Sequence, residues 1–423
     1  MNSPAAIAVE NLPDAPHLDS VSGTSALQKA LVFTCFAGAL LAFGWITDYS
    51  GRKQFYFSYL WAYVWALSLA LGALFWNLIH HVTSAGWSVG IRRIYENIHR
   101  ALPILAVLFI PIALGIDSIY KWSSAGDLKN GKQDWLSKGF FILRIAGYFA
   151  VWITYSSIMR KWSLQVDTTE DFEERKRLQR KMEQLAPSGL VLLALTSTFA
   201  AFDLMMTLNY HWFSTIFGVI FWADSIRVSL VTCVLVVLGL RWAGYLRRTV
   251  TTEHFHDMGK LMFGFTVFWT YVSFSQYFLY WYGNVPEETK FYWDRRHDSW
   301  YTMSIILPIC YFAVPFLILL PRGNKRNPLT IGFVAVWVLF FEMFHLYWEI
   351  MPEGLKTGVH DRPSAGVSVH WMDVAAIGAF IGVMLSCLLY GFRNDALIPL
   401  RDPRLAESIH HEVDEFGDTK KVF

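Results

Sequence analysis

The chain has 423 residues, of which 54% are hydrophobic and only 17% charged, and its net charge at neutral pH is +2. A soluble protein of that size carries about a quarter charged residues, so a water-borne globular fold is excluded. A net charge of +2 by itself selects no partner, and no nucleic-acid partner is expected.

The first 26 residues hold Pro4, Pro13, Pro16, Glu10, Asp14 and Asp19. They lack the basic start of a secretory signal, so they read as a cytoplasmic tail. Ten apolar stretches follow, at 27–46, 55–80, 99–117, 138–159, 188–208, 212–240, 260–283, 300–320, 329–350 and 371–392. A hydrocarbon layer about 30 Å thick takes roughly 20 helical residues to cross. Backbone polar groups in lipid must be satisfied within the protein, so the spans are helices. The expected fold is an all-α polytopic membrane protein of about ten transmembrane helices, ending in a cytoplasmic tail, 393–423. Of the 36 Lys and Arg, 23 fall on the side of the chain ends and 11 on the other. The positive-inside rule then places both termini in the cytoplasm.

Aromatic residues make up 17% of the chain, with 19 Trp. Trp45, Trp61, Trp122, Trp212, Trp281, Trp293 and Trp371 lie near span ends, where an interfacial belt is expected. Cys35, Cys233, Cys310 and Cys387 sit inside spans and form no CxxC or CxxCH. They predict buried small hydrophobes rather than ligands of zinc, iron–sulfur or covalent haem. His80 and His81 close the second span, and only His345 is deep in one, so a bis-histidine haem is not supported.

Two connections are distinctive. Residues 85–97 mix Trp87, Arg92, Arg93 and Tyr95, which predicts an amphipathic helix on the cytoplasmic membrane surface. Residues 160–187 place acids before bases, with Glu173 and Arg177 four apart, which predicts a solvated helix ended by Pro187. The third and eighth spans each carry two prolines, Pro103 with Pro111 and Pro308 with Pro315. Proline removes one backbone bond and bends the helix, opening small polar cavities.

The candidate functional residues are ionisable groups inside spans, each costing a few kcal/mol at mid-membrane unless it faces protein or water. Asp224 and Arg227 lie three apart in the sixth span and form either an ion pair or part of a proton relay. Glu342, His345 and Glu349 recur at i, i+3 and i+7 in the ninth. They form one helical stripe, able to hand protons along a water chain or to serve as a hydrogen-bonded seam. Asp117, Arg144 and Asp203 lie towards the outer ends of their spans, where Arg144 can neutralise either acid.

Residues 275–289, Ser275 to Thr289, combine Gln276, a run of aromatics and the acids Glu287 and Glu288. On this segment, with Ala85 to Ser88 and Arg92-Arg93, the chain resembles the ActF membrane subunits of bacterial alternative complex III. These are related to the ActC and polysulfide-reductase-type membrane anchors. The resemblance extends over all ten spans. It implies two four-helix bundles, spans 2–5 and 6–9, flanked by spans 1 and 10. The first bundle is 55–159 with 188–208, the second 212–350, and the flanking spans lie in 27–54 and 371–392.

It further implies a quinol-oxidising complex of the bacterial inner membrane. Haem c and Fe–S subunits would carry the electrons, and quinol would react mainly at an ActC-like subunit. This chain would hold no redox centre and contribute a proton path. The residues alone leave two other functions open, a purely structural anchor and an independent secondary transporter, whose folds also use Pro-interrupted helices.

Overall fold

The computed structural model describes residue 12 and residues 14–48, 52–125, 128, 132–354 and 366–411. The protein is an all-α polytopic membrane protein, 82% helical. Among the described residues nine helices are long and apolar enough to cross a bilayer. The one expected span not among them, the seventh at 260–283, lies in a helix of 32 residues, about 48 Å long at 1.5 Å per residue. Its Lys260, Thr266, Thr270, Ser273, Ser275 and Gln276 keep it outside that apolar set.

In chain order the helices are α1 (Ser20–Thr47), α2 (Lys53–Val82), α3 (Val89–His99), α4 (Leu102–Leu108), α5 (Ile110–Leu114), α6 (Ile116–Ile119), α7 (Lys132–Trp135), α8 (Lys138–Thr168) and α9 (Phe172–Leu204). They continue with α10 (Phe217–Trp242), α11 (Thr252–Gly283), α12 (Pro286–Trp293), α13 (Asp298–Leu307), α14 (Val314–Leu319), α15 (Arg322–Arg326), α16 (Pro328–Gly354), α17 (Trp371–Asn394) and α18 (Leu405–Ile409). A π-helical turn, Pro308–Ala313, joins α13 to α14.

Helices α2, α3–α5, α8 and α9 pack on one another as one bundle, and α10, α11, α13–α14 and α16 as a second. The two meet along α2 and α10. Helix α2 is apolar all round, and 94% of its most apolar stretch is buried, as expected for a helix surrounded by protein. A Cβ at Gly72 would lie 1.8 Å from the Ser225 carbonyl oxygen, so glycine sets how closely α2 and α10 approach. Helices α1 and α17 pair outside the bundles.

Each proline-broken helix is repaired by a neighbour. Pro103 has no N–H for the His99 carbonyl four residues earlier, and Ser156 Oγ donates to that carbonyl at 3.2 Å. At the break between α4 and α5, Tyr63 and Tyr59 donate to the Leu105 and Leu108 carbonyls at 3.2 and 2.7 Å.

Four expectations change. Helix α3 is no surface anchor: every residue from Val89 to His99 is buried within the protein. Its basic residues find carboxylates, with Arg92 2.8 Å from Asp402, and Arg93 2.7 Å from Glu96 and 2.5 Å from Asp167. Burying an ion costs several kcal/mol, which only close pairing and further hydrogen bonds can offset. Pro187 ends nothing, since it lies inside the continuous helix α9; the chain breaks instead at Thr169, and Asp171 caps the new helix by accepting from the Glu173 amide. Trp45, Trp281, Trp293 and Trp371 are exposed as a belt requires, whereas Trp61, Trp122 and Trp212 are buried. Cys35 faces outward, while Cys233 and Cys387 are buried and Cys310 is half-buried. The tail residues 412–423 and most of 1–13 lie outside the described residues.

Candidate functional site

The buried polar residues of the second bundle converge on one tyrosine. Tyr311 sits in the π-helical turn after Pro308, fully buried. π-Turns inside α-helices re-aim side chains and recur at functional sites. Its hydroxyl lies 2.9 Å from Asp224 Oδ1 on α10 and also bonds Glu342 Oε2 on α16. A phenol has one proton to give. It can therefore serve one carboxylate, and the second contact is favourable only if the other carboxyl supplies a proton. The trio thus shares protons among three oxygens.

Arg227 completes the centre differently from a plain Asp224–Arg227 pair. Pro315 leaves the Tyr311 carbonyl without its helical donor, and Arg227 Nη2 donates to that carbonyl at 3.0 Å. The guanidinium stands over the Tyr311 ring, 4.0 Å from its centroid, and 5.3 Å from that of Trp269. A cation held over desolvated aromatic faces is stabilised by the ring quadrupoles. Its charge remains close enough to offset a carboxylate in the cluster.

The stripe then runs along α16. His345 Nδ1 is 3.2 Å from Asp224 Oδ2, off the hydrogen-bond axis, and its Nε2 is 3.5 Å from Glu349 Oε1. Exposure is 0% for Asp224 and Glu342, 2% for Arg227, 4% for His345 and 8% for Glu349, so all five predicted residues of this half are inside the protein. Beyond Glu349 stands Arg295, which donates to the carbonyls of Phe291, Trp348 and Glu349 at 2.8–3.0 Å and lies 4.0 Å from Glu353. Arg295 precedes the eighth span. Burial draws its proton affinity below the ordinary arginine value, and the carboxylates of Glu353 and Glu349 oppose that.

The three predicted residues of the first half separate. Arg144 binds Asp203 through two nitrogens, at 2.9 and 2.7 Å, and Tyr148 donates to the same carboxylate at 3.0 Å. The third Arg144 nitrogen donates to the Trp135 carbonyl. This is a closed clamp with every strong group satisfied. Asp117 is elsewhere, two-thirds exposed and paired with Lys138 at 2.6 Å.

The 275–289 segment grips the loop after α9. Gln276 accepts from Ser214 Oγ at 2.7 Å and donates to the Tyr292 hydroxyl at 2.9 Å. Trp212 donates to the Glu288 carbonyl and stacks on Phe291 at 4.3 Å.

Sequence reasoning missed Tyr311, although the paired prolines around it were the available signal. It also missed Arg295, whose position in a loop looks like solvent, and Asp373. The latter accepts from Ser58 Oγ at 2.5 Å, Gln54 Nε2 at 3.1 Å and the His370 amide at 2.8 Å, tying α2 to α17. Among the described residues no cluster of His, Cys, Asp or Glu is arranged to hold a metal ion. No protein-family model and no curated protein matches this chain.

Proposed function

We propose that this chain is a non-redox subunit of a quinol-oxidising membrane complex of the alternative complex III type. It lies in the bacterial inner membrane with both termini in the cytoplasm. In this reading haem c and Fe–S partner subunits carry the electrons, and an ActC-like subunit takes quinol. The second bundle here moves protons, through Asp224, Tyr311, Glu342, His345 and Glu349.

The supporting observation is the hydroxyl of Tyr311 between two fully buried carboxyls. A hydrogen bond that can be drawn in either direction is what a proton relay requires. The next acceptor, His345, stands between Asp224 and Glu349. Arg227 has the role of an electrostatic stabiliser, holding the cluster's charge constant as protons pass. Arg144 and Asp203 are assigned a structural role, because their geometry leaves no lone partner to pick up a proton.

Glu342→Gln tests this. Gln keeps the size and an acceptor oxygen but cannot release a proton. The complex should assemble with its haem content intact and quinol oxidation should lose its coupled proton movement. Unchanged proton-to-electron stoichiometry in reconstituted vesicles would remove Glu342 from the path.

The alternative of a structural anchor draws on the closed ion pairs of the first half, such as Arg144 with Asp203. Infrared difference spectra of turnover without any carboxyl change would favour it. An independent transporter would be active as a purified single chain; obligatory co-purification with haem c proteins counts against that.

A further inference from the structure

Two buried arginines of the second bundle answer the same local problem. A proline inside a helix leaves the carbonyl four residues earlier without its N–H donor. Pro315 frees the Tyr311 carbonyl in this way, and Arg227 supplies the missing bond. Pro352 lies inside α16 and frees the carbonyl of Trp348. Arg295 Nε donates to that carbonyl at 3.0 Å, and its Nη2 donates to the next one, of Glu349, at 2.9 Å. Its Nη1 donates at 2.8 Å to the carbonyl of Phe291 in the last turn of α12, where helical carbonyls also lack donors. One guanidinium thus fastens the end of α12 to the proline break of α16.

The fit is particular to arginine. Arg295 is 1% exposed, and its guanidinium lies 3.6 Å from the centroid of the Phe291 ring and 4.8 Å from that of Trp348. A rigid planar fork can serve three carbonyls on two helices, whereas a lysine gathers its donors on one nitrogen. The Trp348 side chain is fixed as well. Its Nε1 donates to Ser304 Oγ at 2.8 Å, and its ring stacks on His345 with centroids 6.3 Å apart. Trp348 therefore joins Arg295 to two residues of the stripe, His345 on the preceding turn and Glu349 directly after it.

We infer that Arg295 is a positioning residue for Glu349: by holding the main chain that Pro352 leaves unbonded, it fixes the turn of α16 on which the Glu349 carboxyl meets His345 Nε2 at 3.5 Å. It acts through directional bonds to carbonyls, and its charge is secondary. The ionisable groups around that carboxyl are His345 and Glu342 of the same helix, Asp224 of α10, Tyr292 of α12 and Arg295 itself. Displacing the turn changes which of them Glu349 faces. The inference rests on the relay reading for its consequence alone, because the clamp can be measured at equilibrium, without turnover.

The test is an infrared pH titration of the full chain in its native membranes at rest, following the carboxyl band that Glu349→Gln removes. Arg295→Met takes away all three bonds and should change the proton affinity read from that band by about tenfold, one unit on the pH axis. Pro352→Ala returns the helical N–H to the Trp348 carbonyl and by itself should titrate as wild type. Combined with Arg295→Met, it should restore both the band and the yield of folded protein to near the wild-type level. Arg295→Lys keeps the charge without the fork and should titrate like Arg295→Met. A double variant no better than Arg295→Met, in band or in folded yield, overturns the clamp. So does a wild-type titration in Arg295→Met, or full recovery in Arg295→Lys, which would make charge the cause in place of geometry. Rescue by Pro352→Ala alongside an unchanged proton stoichiometry in Glu342→Gln would keep the clamp and remove the relay.

Discussion

Tyr311→Phe removes one oxygen atom from the centre of the proposed relay and little else. The ring keeps its edge contact with Trp269 at 4.5 Å, its stack with His345 at 5.8 Å and its place under the Arg227 guanidinium at 4.0 Å. The Tyr311 carbonyl still accepts from Arg227, since that contact is to the main chain. What disappears is the hydroxyl that touches Asp224 and Glu342. A hydrogen bond to a charged acceptor contributes about 1.5–3 kcal/mol, and every 1.4 kcal/mol is a factor of ten. Proton transfer through the cluster should therefore slow by roughly ten- to a hundredfold. Folding should change far less, because the two carboxyls can share a proton directly. The assays are proton release per electron in vesicles and the infrared carboxyl stretch, which should move to higher frequency as the protonated acid loses its partner. Wild-type coupling together with an unshifted carboxyl band would refute the reasoning, because it would mean that the bridging hydroxyl carries neither a proton nor a hydrogen bond of consequence.

The first-half acids should behave as structure. Arg144→Leu strands Asp203 at 0% exposure and should destabilise the protein by about 3–5 kcal/mol, seen as a large fall in melting temperature in detergent. Asp117→Asn breaks an exposed pair with Lys138 and should leave that temperature nearly unchanged; the reverse order of effects would contradict the assignments. His254, on the part of α11 that precedes the span, is held at about 3 by burial first and by the neighbouring His411 second, with Asp257 opposing. An unfolded histidine titrates near 6.5. Protons thus bind the unfolded state first, and the stability that neutral His254 supports is present above about 6.5 and lost progressively as pH falls to about 3. The loss is on the order of 4 kcal/mol. Amide exchange across 249–257 should accelerate over that range, and His254→Gln should flatten the response; an equally steep profile in the variant would exclude His254 as its source.

The legible part of the candidate site was its single-helix part. Glu342, His345 and Glu349 share a face because a helix turns about 100° per residue, and that follows from spacing alone. Their buried depth followed from the apolar residues around them. The illegible part was every contact between helices. Nothing in the local order of residues 300–320 said that Tyr311 would face Asp224, because a π-turn shifts the register of the residues it contains and does so in response to prolines on both sides. The same limit explains Arg227, whose sequence neighbour Asp224 looked like its partner until a carbonyl freed on another helix competed for it. It also explains α3: an amphipathic composition predicts that a helix divides two media, but cannot say whether the polar medium is water or a wall of carboxylates.

What the sequence by itself determined is the medium and the element lengths, since hydropathy summed over about twenty residues overrides any local detail. It also determined the phase of polar residues on each helix, since that phase is covalent geometry. Tertiary structure alone decided which bundle seam is glycine-thin, which acids share a proton donor and which loops fold back to cover a face. Those outcomes depend on pairs of residues such as Tyr311 with Asp224, Arg92 with Asp402 and Gly72 with Ser225, far apart along the chain and brought together only when the helices settle against each other.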